Sequence, residues 1–222
     1  MNKICYINSA SSISSQNTFK NKKFFKEIII NNFKTAAALE PNYNEIINKI
    51  SIRRMSKITK MGIATAQSAL KNANIVIPDA IITGTGMGCL ENSEKFLKSI
   101  IENKEEFLSP TAFIQSTHNT VGSQIAINLK CKNYNMTYVH GSISFELALF
   151  DSQLLISENQ AKNILVGGID ELGKKIVDDT LKLENNFKNG INVPLSEGSH
   201  FFIISSIKTS NSIAILKGIE IY

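Results

Sequence analysis

Short apolar runs of strand length, each ending in glycine or a sharp turn beside a segment of helical periodicity, occupy the centre of this chain. Asp79 to Thr83 runs into Gly84-Thr85-Gly86-Met87-Gly88, and a helical pattern follows from Glu91 to about Asn103, acidic in its first turn and apolar at Phe96, Leu97, Ile100 and Ile101. Asn133 to Val139 alternates as a strand does and gives way within three or four residues to Ser142–Ser157, with Phe145, Leu149 and Ile156 at helical intervals. Lys162 to Val166 is a third run, closed by Gly167-Gly168. Ser56 to Asn72, capped by Ser56 and rich in small residues, and Asn119 to Lys130 read as further helices. Strands alternating with helices predict an α/β sheet covered by helices on both faces.

The ends of the chain read less regularly. Lys3 to Asn8 is a short apolar strand, and the serine-rich stretch Ser9 to Ser15 reads as a loop. Residues 24–48 combine a β-branched run, Ile28 to Ile30, with lysine-rich surroundings, and their structure stays open. Phe201 to Ile207 and Ile213 to Ile221, separated by Thr209-Ser210-Asn211, suit a hairpin. With 222 residues the chain is long enough for a real core and reads as one domain over 1–222. A composition 43% hydrophobic and 19% charged excludes a disordered tail or a fibrous repeat. No run approaches a membrane span and no apolar leader follows the start, which points to a cytoplasmic protein.

Cys5, Cys89 and Cys131 are odd in number and widely spaced, and His118, His140 and His200 form no i, i+4 pair, so neither a disulfide framework nor a metal site is expected. Charge is uneven: residues 1–75 hold 12 Lys+Arg against 3 Asp+Glu, and residues 76–222 hold 12 against 16, so +9 and −4 make up the overall +5. The surplus sits in Lys20, Lys22, Lys23 and Lys26 and in Arg53, Arg54, Lys57 and Lys60. These patches favour acidic partners, but they lack the interleaved aromatics and glycines of nucleic-acid modules, so no nucleic acid is expected.

Two constellations carry chemistry. The loop from Gly84 to Gly88 lies where backbone amides approach a phosphate, but Cys89 stands where the third glycine of a dinucleotide fingerprint belongs, which weakens a nucleotide reading. No cofactor follows from it. The second is the junction around His140, where a strand meets a helix N-terminus, a setting that lowers a thiol pKa and disfavours an imidazolium. No nucleophilic triad can be assembled around His140 from the sequence.

In order along the chain, these residues resemble the N-terminal half of the β-ketoacyl-acyl-carrier-protein synthases, within the thiolase-like fold. Arg53-Arg54-Met55 before a small-residue helix resembles the family's basic segment, and Ile81 to Gly88 resembles its "VIVGTGIGG" strand and loop. Ser109-Pro110 through Asn119 and Gly122 is similar to its "SP…N…G" segment, Lys162 to Gly168 to "DVMLAGG", and Pro194 to Gly198 to "MGEGAG". The resemblance implies a three-layer α-β-α half with a mixed five-stranded sheet, formed by the N-terminal strand, Asp79–Thr83, Tyr134–Val139, Lys162–Val166 and Phe201–Ile207.

Matching Asn133 to the asparagine before the family's "TAC" motif places His140 where the acyl-accepting cysteine stands. The chain also stops at Tyr222, near the end of the family's first half, before the histidines and lysine of the second. A ketosynthase-like chain without its nucleophile is similar to the chain-length factors. The resemblance then implies no catalysis by the chain alone, a heterodimer with a full-length ketosynthase through Tyr134, Met136 and Tyr138, and service to an acyl carrier protein in fatty-acid, polyketide or polyene-type biosynthesis. It implies carrier docking at Arg53, Arg54 and Lys57. It also implies an acyl tunnel or interface formed by Phe113, Ile114, Thr117, His118, Phe145 and Glu146. The alternatives are a homodimeric acyl- or carrier-binding module, and an acyltransferase using His140 with His118.

Overall fold

The computed structural model describes residues 3–21, 27–30, 34–186 and 195–220; Lys22, Lys23, Lys26, Pro194 and Ile221, invoked above, lie outside these ranges. In chain order the elements are β1 (Cys5–Ile13), β2 (Thr35–Ala36), α1 (Lys49–Ile52), α2 (Lys57–Asn72), β3 (Ala80–Gly84), α3 (Leu90–Glu102), α4 (Pro110–Ser116), α5 (Thr120–Leu129), β4 (Tyr134–Tyr138), α6 (Ser144–Ser157), β5 (Asn163–Asp170), α7 (Lys174–Asn186), β6 (Leu195–Ser196), β7 (Gly198–Ser205) and β8 (Ala214–Leu216). Single 3₁₀ turns precede α1 at Tyr43–Glu45 and α6 at Gly141–Ile143.

The main sheet has six strands in the order β4-β3-β5-β7-β1-β8, one more than expected. β4, β3 and β5 are parallel, and β7, β1 and β8 add antiparallel strands. β2 and β6 form a separate parallel pair. On one face Met61, Ala66, Val121 and Ile125 of α2 and α5 pack on Ile81, Leu165, Phe201 and Ile203. On the other, Ala148, Leu155 and Ile156 of α6 pack on Ala80, Ile82, Ile164, Val166 and Ile204. This is the expected α-β-α layering. α2 begins where its sequence signals: the Ser56 hydroxyl accepts the Thr59 N–H at 3.4 Å.

The serine stretch is not a loop, because β1 continues through it to Ile13 as a central strand. Its hydroxyls find partners: Ser9 Oγ donates to the Ala69 carbonyl at 2.6 Å and Ser12 Oγ lies 2.7 Å from His200 Nδ1. Satisfied hydroxyls remove the cost of placing serine inside a sheet.

The C-terminal hairpin is also corrected. β8 pairs with β1, not with β7. Asn8 is the extra residue of a bulge in β1. Its side-chain amide donates to the Ile207 carbonyl at 3.0 Å and its carbonyl accepts the Ser212 hydroxyl at 2.6 Å. The connecting segment is thereby pinned across β1 and delivers β8 to its free edge. α4 and α7, to which no element was assigned from the sequence pattern, are helical.

Candidate functional site

The parallel strands β3, β4 and β5 end side by side, and the turn after β4 is built from hydrogen bonds. Thr85 N–H donates to the Tyr138 carbonyl at 3.0 Å, so the β3 loop follows the end of β4. The His140 N–H then donates to Ser144 Oγ, and that hydroxyl donates to the Gly141 carbonyl, each at 2.8 Å. A Cβ on Gly84 would sit 2.6 Å from the Ser144 carbonyl oxygen, so only glycine lets α6 start directly on the tip of β3. The His140 ring is exposed, 6.4 Å from the Tyr138 ring, and makes no hydrogen bond among the described residues.

The glycine loop does not offer its amides to a ligand. Gly86 and Met87 N–H each donate to Asp170 Oδ1 at 3.0 Å, and Thr85 Oγ1 donates to the same oxygen at 2.8 Å. The carboxylate at the end of β5 occupies the position a phosphate would take, which argues against the nucleotide reading. His118 packs over Gly88, whose φ of +71° suits glycine; a Cβ there would lie 2.6 Å from the ring. No hydrogen bond or ring contact joins His118 to His140 among the described residues, so they are not assembled as a catalytic pair.

Beside the junction lies a cavity of about 820 Å³. Phe145, Leu172, Ile176, Val177 and Phe202 give it apolar walls, and His200, Glu171 and Glu197 supply polar points. The two glutamates knit the surrounding elements together. Glu197 Oε1 accepts the Ala38 N–H at 2.9 Å and pairs with Lys57 Nζ, while Oε2 accepts the Leu172 N–H at 3.2 Å. Glu171, 2% exposed, accepts the Glu91 N–H at 3.0 Å on Oε1, and its Oε2 has no hydrogen-bond partner. Burial first, with the nearby charges of Glu91 and Glu197, pushes its pKa up to about 7 against the pull of the Glu91 N–H.

Cys89 is buried, and burial with Glu171 and Asp170 pushes its thiol up to about 12. Cys5 and Cys131 are likewise buried, so no accessible thiol faces the junction. The described residues contain no metal-binding cluster and no helix long and apolar enough to cross a membrane.

Residues 31–198 match the family described as beta-ketoacyl synthase, N-terminal domain. The chain belongs to this family. Among solved structures, one similar to this ketosynthase-family chain is the ketosynthase ApeO in complex with its chain length factor ApeC from Xenorhabdus doucetiae (TM-score 0.68, 17% identity, 91% of this chain and 79% of that one). Others are the ishigamide ketosynthase/chain length factor (0.70, 18%, 91% and 62%) and the AntDE:AntF complex, a type II PKS acyl-carrier protein with its ketosynthase bound to the hexaketide (0.71, 15%, 92% and 63%). The chain spans less than two thirds of the second and third of these chains. A comparison with curated protein sequences gave no match.

Within the ketosynthase frame, the site residues expected from sequence separate into groups. Tyr134, Met136 and Tyr138 lie on one face of β4, which is an edge of the main sheet, and Tyr134 and Met136 are exposed. Tyr134 Oη donates to Asp151 Oδ2 at 3.0 Å, tying that edge to α6. Phe113 and Ile114 project from α4 at 55% and 57% exposure, with the Phe113 ring 5.5 Å from Phe96 of α3. Thr117 bonds Thr120 Oγ1 at the start of α5. Of the six tunnel candidates, Phe145 alone lines the cavity. Glu146 is half-buried, with an unpartnered Oε2. Arg53 and Arg54 are exposed beside α4, where Gln115 Nε2 donates to the Arg54 carbonyl at 2.7 Å. Lys57 instead turns inward to Glu197.

Asp170, Glu171, Glu197 and His200 were not singled out as site residues from sequence. An acid just past Gly167-Gly168 was the available signal for Asp170, and the Pro194–Gly198 segment was the one for Glu197; nothing local marks Glu171 or His200.

Proposed function

We propose that this chain is a non-catalytic, chain-length-factor-like subunit that pairs through the β4 edge with a full-length ketosynthase and shapes its acyl tunnel. The observation that carries the reading is the junction itself. The turn, the buried Ser144 and the α6 N-terminus that would activate a nucleophile are in place, yet the side chain presented is the His140 imidazole. Covalent acyl transfer needs a nucleophile together with a base that orients it; His140 has no such partner among the described residues, and the buried Cys89 has its thiol held protonated. The exposed edge at Tyr134 and Met136 suits strand pairing with a second protein. Phe113 and Ile114, projecting from α4, would reach across that contact toward the partner's acyl pocket. Arg53 and Arg54 would help receive an acidic carrier protein.

Co-expression with a full-length ketosynthase and its carrier protein tests this directly. A stable complex is expected, in which acyl-thioester labelling followed by mass spectrometry finds the acyl group on the ketosynthase alone. A stoichiometric adduct on this chain that disappears in His140→Ala would refute the non-catalytic role.

A further inference from the structure

Neither the lysine-rich stretch before β2 nor its isoleucine run belongs to the junction or its cavity. The structure ties the described part of both to one turn. After β1 ends at Ile13, the Thr18 N–H donates to the Gln16 carbonyl at 2.8 Å and the Asn21 N–H to the Thr18 carbonyl at 3.3 Å. The Gln16 side chain stands in for a neighbouring strand: its Nε2 donates to the Ile29 carbonyl at 2.9 Å and its Oε1 accepts the Ile29 N–H at 2.8 Å. One amide thus holds the run in place without burying it, and Ile28, Ile29 and Ile30 are 68%, 42% and 81% exposed. Single exposed isoleucines are ordinary, but three in succession call for a function. The same turn walls a cavity of about 710 Å³ against the outer side of α2, whose charged lining residues are Lys20, Lys71 and Glu45. Both lysines are exposed.

We propose that this surface is a membrane-contact patch, on which Ile28 and Ile30 enter the headgroup layer of an anionic bilayer while Lys20 and Lys71 meet its phosphates. At 68% and 81% exposure the two isoleucines stand clear of the fold. Such projections would need matching pockets in a folded partner, whereas a bilayer closes around them. Lysines beside them keep their ammonium groups at headgroup level while their stems lie along the apolar layer. Stable attachment without a spanning segment takes two signals, and here one is apolar and the other polybasic.

Charge specifies the lipid. In sequence, residues 19–34 carry Lys20, Lys22, Lys23, Lys26 and Lys34 against the single acid Glu27. The +9 of residues 1–75, set against the −4 of residues 76–222, turns this part of the molecule toward an anionic surface. Each lysine close to such a surface strengthens binding roughly fivefold, so neutral lipid should not hold the chain. Attachment of this kind needs no spanning helix, and none is present among the described residues. The patch shares no residue with the β4 edge, with α4 or with Arg53 and Arg54, so it neither needs nor opposes a ketosynthase partner.

The experiment uses the 222-residue chain alone with vesicles of phosphatidylcholine, pure or containing one-third phosphatidylglycerol. The chain should float with the anionic vesicles at about 0.1 M salt, leave them at about 1 M, and not float with the neutral ones. Lys20→Gln with Lys71→Gln should weaken binding by about 25-fold, whereas Lys95→Gln with Lys98→Gln on α3, the same loss of charge, should cost much less. Ile28→Asp with Ile30→Asp should weaken it by about tenfold or more. All six positions are exposed, and unchanged far-ultraviolet circular dichroism checks that each variant folds. The chain has no tryptophan, so Ile30→Trp supplies a single reporter whose emission should shift to shorter wavelength with anionic vesicles. No flotation, equal flotation with neutral vesicles, equal losses from the two lysine pairs, or an unmoved Ile30→Trp emission would overturn the proposal. Retention on immobilised polyglutamate without flotation would assign the lysines to acidic proteins and overturn it too. Because no ketosynthase is present, none of these outcomes bears on pairing with one.

Discussion

Glu171→Gln should remove a fall in the protein's stability between about pH 4.5 and pH 7. The Glu171 carboxyl is buried, with one oxygen on the Glu91 N–H and the other without a partner, and its pKa rises from an ordinary 4.5 to about 7. The folded state therefore holds this proton more tightly than the unfolded chain does. The associated stability is fully present below about pH 4.5 and is lost as pH rises through about 7. The rise is equivalent to about 3 kcal/mol, and at 2% exposure the group gains little relief from solvent. Glutamine keeps the acceptor for Glu91 N–H and cannot ionise. Whatever constant offset its amide introduces, the stability of the variant relative to wild type should grow by about 2–3 kcal/mol between pH 5 and pH 8.5, or roughly 5–10 °C in Tm for a chain of this size. Thermal melts and urea titrations of both proteins at pH 5, 6, 7 and 8.5 measure it. Parallel profiles across that range would mean that Glu171 ionises in the folded protein without penalty, and the burial argument would fail.

Other outcomes follow from neighbouring features. Glu197→Ala leaves the Lys57 ammonium and the Ala38 and Leu172 N–H groups without their acceptor, so it should cost about 3 kcal/mol, read as a lower urea midpoint at pH 7. Phe113→Ala in an assembled ketosynthase complex should lengthen the product distribution without abolishing assembly; an unchanged distribution with weaker association would assign Phe113 to packing. Arg53→Glu with Arg54→Glu should slow product formation at low ionic strength and lose that effect at high salt, because exposed charges act mainly on encounter and are screened. Equal rates at low salt would make the pair a solvated surface.

The elements legible in the sequence were those whose signals are local. β3, β4 and β5 are apolar runs closed by glycine or a turn, and α2, α3, α5 and α6 carry helical spacing with caps or acids at their starts. The segments misread depend on partners far along the chain. Ser9 to Ser12 resemble a loop until Ala69 and His200 supply bonds for their hydroxyls. The residues of β8 resemble a hairpin arm until the Asn8 bulge draws the connection across β1. α7, which is mostly polar, and α4, which is only 7 residues long, were left without an assigned element rather than misread. At the site, His140 was found because a strand-helix junction is a local pattern, and Asp170 was within reach for the same reason. Glu197 lies in the Pro194–Gly198 segment, but its partner Lys57 is 140 residues away, and nothing in either segment announces the other.

The place of β1 in the sheet sets the order in which the protein can be completed. β1, the earliest of the described strands along the chain, lies between β7 and β8, the two latest of them. The parallel unit β3-β4-β5 can assemble from residues 80–170, but β1 must wait for some 185 residues of further synthesis, about 10–40 s at ordinary translation rates. For that interval an apolar strand end, Cys5-Tyr6-Ile7, has neither of its neighbours, and a strand with both edges open is a template for pairing with another nascent chain. Slow translation or a high local concentration of nascent chains should therefore lower the yield of native protein more than it alters the stability of molecules already folded.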